Sequence, residues 1–298
     1  MRIRVEIRKK SLVQEHFFMS AFPIGVMLNS FRKPWIEALD IARDLGASGI
    51  QAHGGHGLLA ISTVTPAIKK EFMAQMNDHG LVVSAICGDL GKGFGNPELN
   101  PGLIETSKRI LDMAKELGTD IVTTHIGVVP QDPNHPRYHI MQDACGELAE
   151  YADSLNAHFA VETGPETAQV LCGFLDSLHS TGVAVNMDPA NLVMVTGDDP
   201  VKAVHTLKKY IVHTHAKDGR KLLDRNPEII YHVITPQEPV TDKAFIEVPL
   251  GEGSVPFKEY LDALREIGFN GFLTIEREVG EDPVGDIRMA ADFLRKFF

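Results

Sequence analysis

Cysteine is scarce in this chain. Its 298 residues contain three cysteines, Cys87, Cys145 and Cys172, which lie far apart and form no Cys-x-x-Cys pair. A small, odd and scattered set does not build the disulfide framework of a small secreted domain. We therefore expect reduced, buried thiols and a cytoplasmic protein.

Long apolar runs and an excess of basic residues are absent as well. The sequence has no stretch long and apolar enough for a membrane span or a secretory signal. Lysine and arginine number 29 against 40 aspartates and glutamates, which gives a formal net charge of −11. A net-acidic protein repels phosphate backbones, so nucleic-acid binding is disfavoured unless a local basic patch overrides the balance. We expect neither a nucleic acid nor a membrane as a partner.

The remaining composition is that of a globular protein. Hydrophobic residues make up 44% of the chain and charged residues 23%, which excludes a disordered or collagen-like chain. Residues 1–18 are basic and amphipathic and precede the first strand-like run. We interpret 1–18 as an N-terminal extension that can lie outside the fold, and 19–298 as one catalytic domain. A mitochondrial-type presequence is the alternative, although Glu6 and Glu15 are unusual in one.

Short apolar runs alternate with longer helix-period segments from residue 23 onward. Continuous apolar runs are typical of strands that are buried on both faces of a parallel sheet. Eight strand–helix units without a linker favour an α/β fold of one (β/α)8 TIM barrel over a doubly wound sheet. Glycines that follow the predicted helices, such as Gly118 and Gly182, are expected to end them. The predicted strands are 23–29, 49–54, 82–88, 121–127, 158–164, 182–188, 211–216 and 271–276.

One connection in this pattern is unusually long. Residues 217–255 separate the seventh predicted strand from its helix, whereas βα loops usually have a few residues. In a barrel this connection lies at the C-terminal face, where active sites are built. We predict that it acts as a lid or sets substrate specificity, with a surface excursion or a subunit contact as the alternative.

Four residues of the types that bind metals end consecutive predicted strands. The fifth strand ends in Glu162, the sixth in Asp188, the seventh in His215 and the eighth in Glu276. In a closed barrel these ends converge above the axis. Three carboxylates packed together raise one another's pKa unless a cation neutralises them. A divalent ion does so, and three oxygen ligands with one nitrogen suit Mn²⁺, Mg²⁺ or Co²⁺ better than a thiol-rich structural zinc site.

The segments around these residues resemble those of a known family, the sugar phosphate isomerase/epimerase superfamily, also called xylose-isomerase-like or endonuclease-IV-like barrels. The resemblance covers about residues 22–298 and implies a TIM barrel that serves carbohydrate metabolism as a metal-dependent enzyme. It is carried by four segments: VETGPE (161–166), NMDPAN (186–191), HTHAKD (213–218) and PLGEGSVPFKEYLDALREIGFNGFLTIERE (249–278).

The resemblance also implies a ligand set and a cofactor. Glu162, Asp188, His215 and Glu276 would bind one divalent metal ion, which we expect to be Mn²⁺, with Mg²⁺, Co²⁺ or Zn²⁺ as alternatives. Alternation along a strand would let His213 point the same way as His215. The family pattern His-x-Lys-Asp selects His215 as the ligand, which leaves His213 a supporting position.

Several further residues are candidates for substrate binding. His53 lies in a glycine-rich loop that lets the backbone approach a ligand closely, and His125 ends the fourth predicted strand. Glu166 can contact a substrate hydroxyl or start a helix, and Lys217 can hold a substrate oxygen or phosphate. Cys87 is interpreted as a small buried thiol rather than a nucleophile. The substrate-binding candidates are His53, Cys87, His125, Glu166, Asn191 and Lys217.

The activity that the resemblance implies is isomerisation or epimerisation of a sugar or keto-polyol. Glu162 and Glu276 would be the catalytic residues and would pass protons as general base and acid through a metal-bound cis-enediolate. Ketose 3-epimerases of the family usually carry a histidine where this chain has Asn191. They also carry an arginine after the seventh strand, whereas Arg220 and Arg225 of this chain lie in a much longer loop. This departure leaves a lyase or dehydratase acting on an inosose or a 3-keto-glycoside as the alternative.

A DNA repair endonuclease of the same fold is a third possibility. That activity requires a three-metal cluster and a basic groove, and the net charge of −11 counts against it. We therefore expect a small-molecule carbohydrate substrate. Relatives in the family are commonly dimers or tetramers, which implies a homo-oligomer.

Overall fold

The structure is a computed structural model that describes residues 22–298, so the predicted extension 1–18 lies outside the described residues. Within this range eight parallel strands form a closed barrel, in which β1 pairs with both β2 and β10. The predicted (β/α)8 TIM barrel is therefore confirmed. The barrel strands are β1 (Ile24–Met27), β2 (Gly49–His53), β3 (Val82–Cys87), β4 (Ile121–Thr124), β5 (His158–Glu162), β6 (Val183–Met187), β7 (Ile211–Ala216) and β10 (Leu273–Ile275).

Helices surround the barrel and bury their apolar faces against it. In α9, for example, Phe257, Tyr260 and Leu264 are buried while Lys258 and Glu259 face solvent. Several helices begin with proline, whose fixed φ and missing N–H suit the first turn. The helices are α1 (Trp35–Asp44), α2 (Pro66–Asp78), α3 (Asn100–Glu116), α4 (Pro136–Ser154), α5 (Ala168–Asp176), α6 (Pro189–Asn191), α7 (Pro200–Leu207), α8 (Pro227–Ile230), α9 (Phe257–Glu266) and α10 (Pro283–Arg295).

Two glycines illustrate where the local prediction holds and where it fails. Gly118 follows α3 with a φ of +80°, as expected for a residue that ends a helix. Gly182 does not end a helix, because α5 stops at Asp176. A Cβ atom at Gly182 would lie 2.0 Å from the carbonyl oxygen of Ala149. Glycine is needed there for close approach to α4, so the prediction for Gly182 is wrong.

The long connection after β7 forms an antiparallel hairpin. Its strands are β8 (Asp218–Lys221) and β9 (Phe245–Val248), and α8 lies between them. We call residues 218–248 the hairpin segment. Leu222 N–H donates to the carbonyl of Ala244 at 2.8 Å, which extends the pairing by one step beyond β8.

A buried carboxylate holds the base of the hairpin segment. Oδ1 of Asp218 accepts hydrogen bonds from the N–H groups of Gly219 (2.8 Å) and Val255 (3.1 Å). Oδ2 accepts from Gly251 (3.0 Å) and Gly253 (2.9 Å). Asp218 therefore ties the start of the excursion to the chain that returns from it. A Cβ atom at Gly253 would lie 1.9 Å from Oδ1 of Asp218, which explains the glycine.

The cysteines are free thiols, of which Cys87 and Cys145 are buried and Cys172 is half-buried. Among residues 22–298, no helix has the length and apolar character needed to cross a membrane.

Candidate metal centre

The barrel brings the four predicted ligand residues together. Glu162 is the last residue of β5, and Asp188 and Glu276 directly follow β6 and β10. His215 lies near the end of β7. One possible ligand atom of each residue lies within 4.8 Å of the others. We call Glu162, Asp188, His215 and Glu276 the acidic cluster.

Nδ1 of His215 lies among the three carboxylates of the acidic cluster. It is 3.5 Å from Oε1 of Glu162, 3.5 Å from Oδ2 of Asp188 and 3.3 Å from Oε2 of Glu276. Burial would lower the pKa of His215, but the carboxylates of Glu276 and Glu162 outweigh burial and hold the pKa well above its ordinary value. A positive charge is therefore favoured at this point between the carboxylates.

Asp188 provides a test of whether a cation fits the cluster. The residue is fully buried, and its Oδ1 accepts a hydrogen bond from the N–H of Asn191 at 2.9 Å. Within the part of the chain that the structure describes, its Oδ2 accepts no hydrogen bond. A buried carboxylate oxygen without a partner is costly unless a cation binds it. Three carboxylates and one imidazole are also a suitable donor set for a divalent ion, so the residues present fit one.

Glu162 is held by side-chain amides. Nδ2 of Asn186 donates to its Oε2 at 3.1 Å, and Nδ2 of Asn191 donates to its Oε1 at 3.0 Å. Nε2 of His125 lies 3.5 Å from Oε1. Burial would raise the pKa of Glu162, but His125 and His215 outweigh it and lower the pKa to about 2. The carboxylate is therefore ionised, and both of its oxygens are fixed in place.

Glu276 is held by an ammonium group instead. Nζ of Lys217 lies 3.0 Å from Oε2 of Glu276 and also pairs with Glu278. Burial would raise the pKa of Glu276, but Lys217 and His215 outweigh it and hold the pKa well below its ordinary value. The two glutamates of the cluster are thus both ionised, but for different reasons.

His213 takes no part in the cluster itself. Its Nε2 lies 3.0 Å from Oε1 of Gln51 and 3.0 Å from Oγ1 of Thr274. Burial lowers the pKa of His213 to about 3, so the ring is neutral. Oε1 of Gln51 also lies 3.0 Å from Nε2 of His215. That contact occupies Nε2 and leaves Nδ1 of His215 directed at the carboxylates.

Sequence reasoning overlooked Gln51 and Asn186. Gln51 lies in the middle of β2 and is fully buried, and Asn186 is fully buried in β6. The available signal was a polar amide within an otherwise apolar strand. Such an amide must find buried partners, and here the partners belong to the acidic cluster or to the histidines beside it.

Three of the six candidates for substrate binding, Cys87, His53 and Glu166, lie outside the cavity described in the next paragraph. Cys87 is buried, and burial raises the pKa of its thiol to about 12, which agrees with a neutral thiol. The rings of His53 and His56 lie 3.9 Å apart, and burial lowers the pKa of His53 to about 4. Oε2 of Glu166 accepts from the N–H of Val129 at 3.2 Å, and burial raises the pKa of Glu166 to about 8.

The other three candidates line a cavity of about 1050 Å³. These are His125, Asn191 and Lys217, each of which contacts the acidic cluster. The rest of the lining comes largely from the hairpin segment. Among the described residues, His53, Cys87 and Glu166 do not line it. The hairpin segment therefore lies at the end of the barrel that holds the acidic cluster.

Comparison with known proteins identifies related chains. A family model described as a xylose isomerase-like TIM barrel matches residues 39–297. The solved structure of a xylose isomerase domain protein from Planctomyces limnophilus is 26% identical, with a TM-score of 0.75 over 93% of this chain and 97% of that chain. A curated fructoselysine 3-epimerase of Escherichia coli O157:H7 is 23% identical over 255 residues, which cover 82% of this chain and 86% of the relative.

A further solved structure is that of a probable 3-DHS dehydratase, AsbF, from Bacillus anthracis. It has a TM-score of 0.71 and 18% identity, and the match covers 92% of this chain and 99% of that chain. At this identity the likeness shows a shared fold.

Proposed function

The chain belongs to the family of xylose isomerase-like TIM barrels, and from this premise we propose that it is an isomerase or epimerase of a sugar or keto-polyol that uses one divalent metal ion. The observation that carries the proposal is the acidic cluster, whose possible ligand atoms lie within 4.8 Å of one another at the end of the barrel where active sites are built. Similarity to a protein named fructoselysine 3-epimerase supports epimerase chemistry on a sugar derivative.

We assign the ion to Glu162, Asp188, His215 and Glu276, with Mn²⁺ as the first choice because oxygen ligands predominate. When bound, a divalent ion supplies Lewis acidity, which eases removal of the hydrogen from a carbon next to a carbonyl group. Oδ2 of Asp188 supports this assignment, since it is fully buried, accepts no hydrogen bond from the described residues and would be stabilised by a bound cation.

We assign proton transfer to Glu162 and Glu276. Glu162 is ionised and fixed by the amides of Asn186 and Asn191, so it can accept the proton as a general base. Glu276 follows a strand three positions further around the barrel, so it can approach the substrate from another side. Because Glu276 is ionised, it must first take a proton from a substrate hydroxyl or from water before it returns one to carbon, and Glu162 then releases the proton that it accepted. Return to the opposite face of the same carbon inverts the centre, whereas return to the neighbouring carbon moves the carbonyl group.

We assign substrate contacts first to His125, Asn191 and Lys217, because they line the cavity next to the cluster. His125 and Lys217 each have a polar hydrogen that can be offered to a substrate oxygen. His53, Cys87 and Glu166 stay predictions. The hairpin segment is proposed as the lid over the substrate, and a homo-oligomer and a cytoplasmic location also stay predictions.

A lyase or dehydratase of an inosose or 3-keto-glycoside is the second candidate. Proton removal by Glu162 is shared by both reactions, and the outcome differs when a leaving group sits on the next carbon. Asn191 favours this candidate, because it occupies the position at which the family's ketose 3-epimerases usually carry histidine.

The test is a screen in D₂O. The full-length protein is loaded with Mn²⁺ and incubated with free ketoses, inososes and 3-keto-glycosides, and the products are identified by NMR after removal of the ion. We expect deuterium on the carbon next to the carbonyl group of at least one compound, together with an isomer or epimer of it. An unsaturated product would select the lyase. Absence of exchange and of product across the three classes would contradict both candidates.

A further inference from the structure

The cavity above the acidic cluster changes in character from its floor to its mouth. At the floor lie the polar side chains of His125, Asn191 and Lys217. Further out, the lining consists largely of apolar side chains from several separate elements. These are Met194 of the turn Leu192–Thr196, Ile229 and Ile230 of α8, Tyr231, Phe245 of β9, and Val279 beyond β10. We call these six residues the outer pocket.

The volume of the cavity exceeds what a free monosaccharide needs. At about 1050 Å³ it lies at the upper end of the range for cavities that bury drug-sized ligands. A monosaccharide is much smaller than such ligands, and it presents hydroxyl groups on nearly every carbon. Placed at the cluster, it would leave the outer pocket without contacts. An apolar surface beside a polar floor instead fits a ligand with two chemically different ends.

Tyr231 marks the boundary between the two parts. Its ring centroid lies 6.0 Å from that of His125, with an interplanar angle of 58°. A Cβ atom at Gly164 would lie 3.1 Å from the Tyr231 hydroxyl and 2.7 Å from Cβ of Asn191. The hairpin segment thus brings an aromatic ring close to His125 and Asn191, two of the residues that contact Glu162. A sugar and its substituent would meet beside this ring.

The hairpin segment is fixed in this position by ion pairs at two places. Glu228 of α8 pairs with Arg137 of α4. Glu247 of β9 is buried and lies 2.6 Å from Nη1 of Arg277, whose Nε lies 2.7 Å from Oδ2 of Asp286. Because the segment is anchored to the barrel at α8 and at β9, the outer pocket is preformed.

We propose that the substrate is a sugar that carries an apolar substituent, such as an aromatic glycoside or a sugar–amino acid conjugate, and that the outer pocket binds this substituent. The inference rests on the proposed function for the sugar end, which the acidic cluster would hold. The charged side chains of Arg225 and Lys243 also line the cavity. Their charged groups suit a substituent that extends from the outer pocket into solvent.

Matched pairs of ligands test the inference. One pair is methyl and phenyl 3-keto-β-D-glucopyranoside, and the other is the 1-deoxyfructosyl conjugates of glycine and phenylalanine. Their dissociation constants for the full-length, Mn²⁺-loaded protein are measured by calorimetry. We expect the aromatic member of at least one pair to bind about tenfold more tightly or better, because it buries additional apolar surface. Equal binding within both pairs, or no binding by any member, would overturn the inference.

Variants on two separate elements locate the effect. Ile229→Ser on the hairpin segment and Val279→Ser beyond β10 should each reduce the preference for the aromatic member several-fold. The matched control is Leu222→Ser, since Leu222 is 56% exposed on the hairpin segment and does not line the cavity. It should keep the preference. Thermal midpoints identify a variant that fails to fold. In that case the variant on the other element shows whether the outer pocket sets the aromatic preference.

Two further readouts distinguish failure of the outer pocket from failure of the proposed function and from self-association of the chain. Deuterium exchange with equal kcat/KM for the two members of each pair would keep the proposed function and overturn the inference. An aromatic preference in binding without any deuterium exchange would keep the assignment of the outer pocket and overturn the proposed function. If the outer pocket were instead covered by a second copy of the chain, Ile229→Ser would lower the molecular mass in light scattering. The aromatic preference would then be absent from the wild type.

Discussion

Nζ of Lys217 lies 3.0 Å from Oε2 of Glu276 beside the other carboxylates of the acidic cluster, where Lys217 is buried and the side chain of Glu276 is 12% exposed. The ammonium group holds the carboxylate in its ionised form, and it lies 4.0 Å from Oδ2 of Asp188 as well. Lys217 therefore stabilises the negative cluster and at the same time repels any cation that enters it.

The first prediction concerns this dual role. Lys217→Met should bind Mn²⁺ at least about tenfold more tightly, because a buried positive charge near the ligands is removed. Turnover should fall, because Glu276 loses the group that orients it. Calorimetric titration with Mn²⁺ measures the affinity, and Lys258→Met, at an exposed position of α9, is the control. Unchanged or weaker Mn²⁺ affinity in Lys217→Met would contradict the charge argument.

The second prediction concerns the ligand set. Asp188→Ala and His215→Ala should each lower the bound metal measured by mass spectrometry of the purified protein, without loss of the circular dichroism of the barrel. Prolonged treatment of the wild type with EDTA should abolish activity, and Mn²⁺ or Co²⁺ should restore it. The control is His205→Ala, because His205 is about half exposed on α7 and pairs with Glu266 rather than with the acidic cluster. Full activity in a verified metal-free preparation would end the metal hypothesis.

The third prediction concerns proton transfer. Glu162→Gln and Glu276→Gln keep an oxygen for a cation but cannot accept a proton. General acid–base catalysis typically contributes about 10²–10⁴-fold, so each variant should lose at least about two orders of magnitude in kcat. Metal content should fall less than in Asp188→Ala. One variant can retain exchange of the substrate hydrogen with D₂O while failing to form product, if each glutamate serves a different side.

Isotope incorporation can also contradict the roles of base and acid assigned to Glu162 and Glu276. A wild type that converts substrate without any solvent deuterium in the product would transfer hydrogen by a direct shift. The acidic cluster would stay a candidate metal site, but Glu162 and Glu276 would lose their assignment as base and acid.

The positions of the cluster residues could be predicted because strands and their ends leave a local signal. Glu162 and His215 each lie at or near the end of a strand-like run, and the barrel closes those ends into a ring. The supporting contacts had no such signal. Gln51 reaches His215 across 164 positions of sequence, and this pairing depends on barrel closure rather than on a local pattern.

The hairpin segment shows the same limit. Its length could be read from the sequence, but β8 and β9 are four residues each and lie 23 residues apart between Lys221 and Phe245. Neither strand has enough residues to establish a period, and their pairing depends on the distant contacts of Asp218. Similarly, Gly182 was expected to end a helix, whereas tertiary contact with α4 determines its role.

The fourth prediction concerns Glu166 and pH. Burial raises the pKa of Glu166 to about 8 in the folded protein, above the ordinary value of 4.5. The folded chain then retains a proton that the unfolded chain releases, so this residue makes stability fall as the pH rises from about 4.5 to 8. The slope expected from one such group is about 1.4 kcal/mol per pH unit.

Urea denaturation at several pH values in EDTA measures this slope. Glu166→Gln has no proton to lose and should be less sensitive to pH than the wild type between pH 5 and 8, by an amount on the order of the slope above. Glu259→Gln, at an exposed position of α9, should behave like the wild type. Identical pH profiles for wild type and Glu166→Gln would show that the buried carboxyl does not hold its proton.

The fifth prediction concerns the hairpin segment. Replacing residues 223–243 by a short turn should change KM or the range of substrates and leave the thermal midpoint of the barrel nearly unchanged, because β8, β9 and the bonds to Asp218 remain. Asp218→Asn should instead lower stability by about 1–3 kcal/mol, since backbone N–H groups lose an ionised acceptor. A large fall in the midpoint of the shortened protein would show that the segment supports the barrel or its assembly.

The four hydrogen bonds that Asp218 accepts from the backbone join the start of the hairpin segment to the chain that returns from it. The residues beyond these hydrogen bonds can change in number and in side chains, while the residues of the acidic cluster keep their positions. Natural variation or engineering at 222–244 can therefore change which substituents fit above an unchanged acidic cluster. The hairpin segment would then determine which substituents are accepted, and the barrel would stay unchanged.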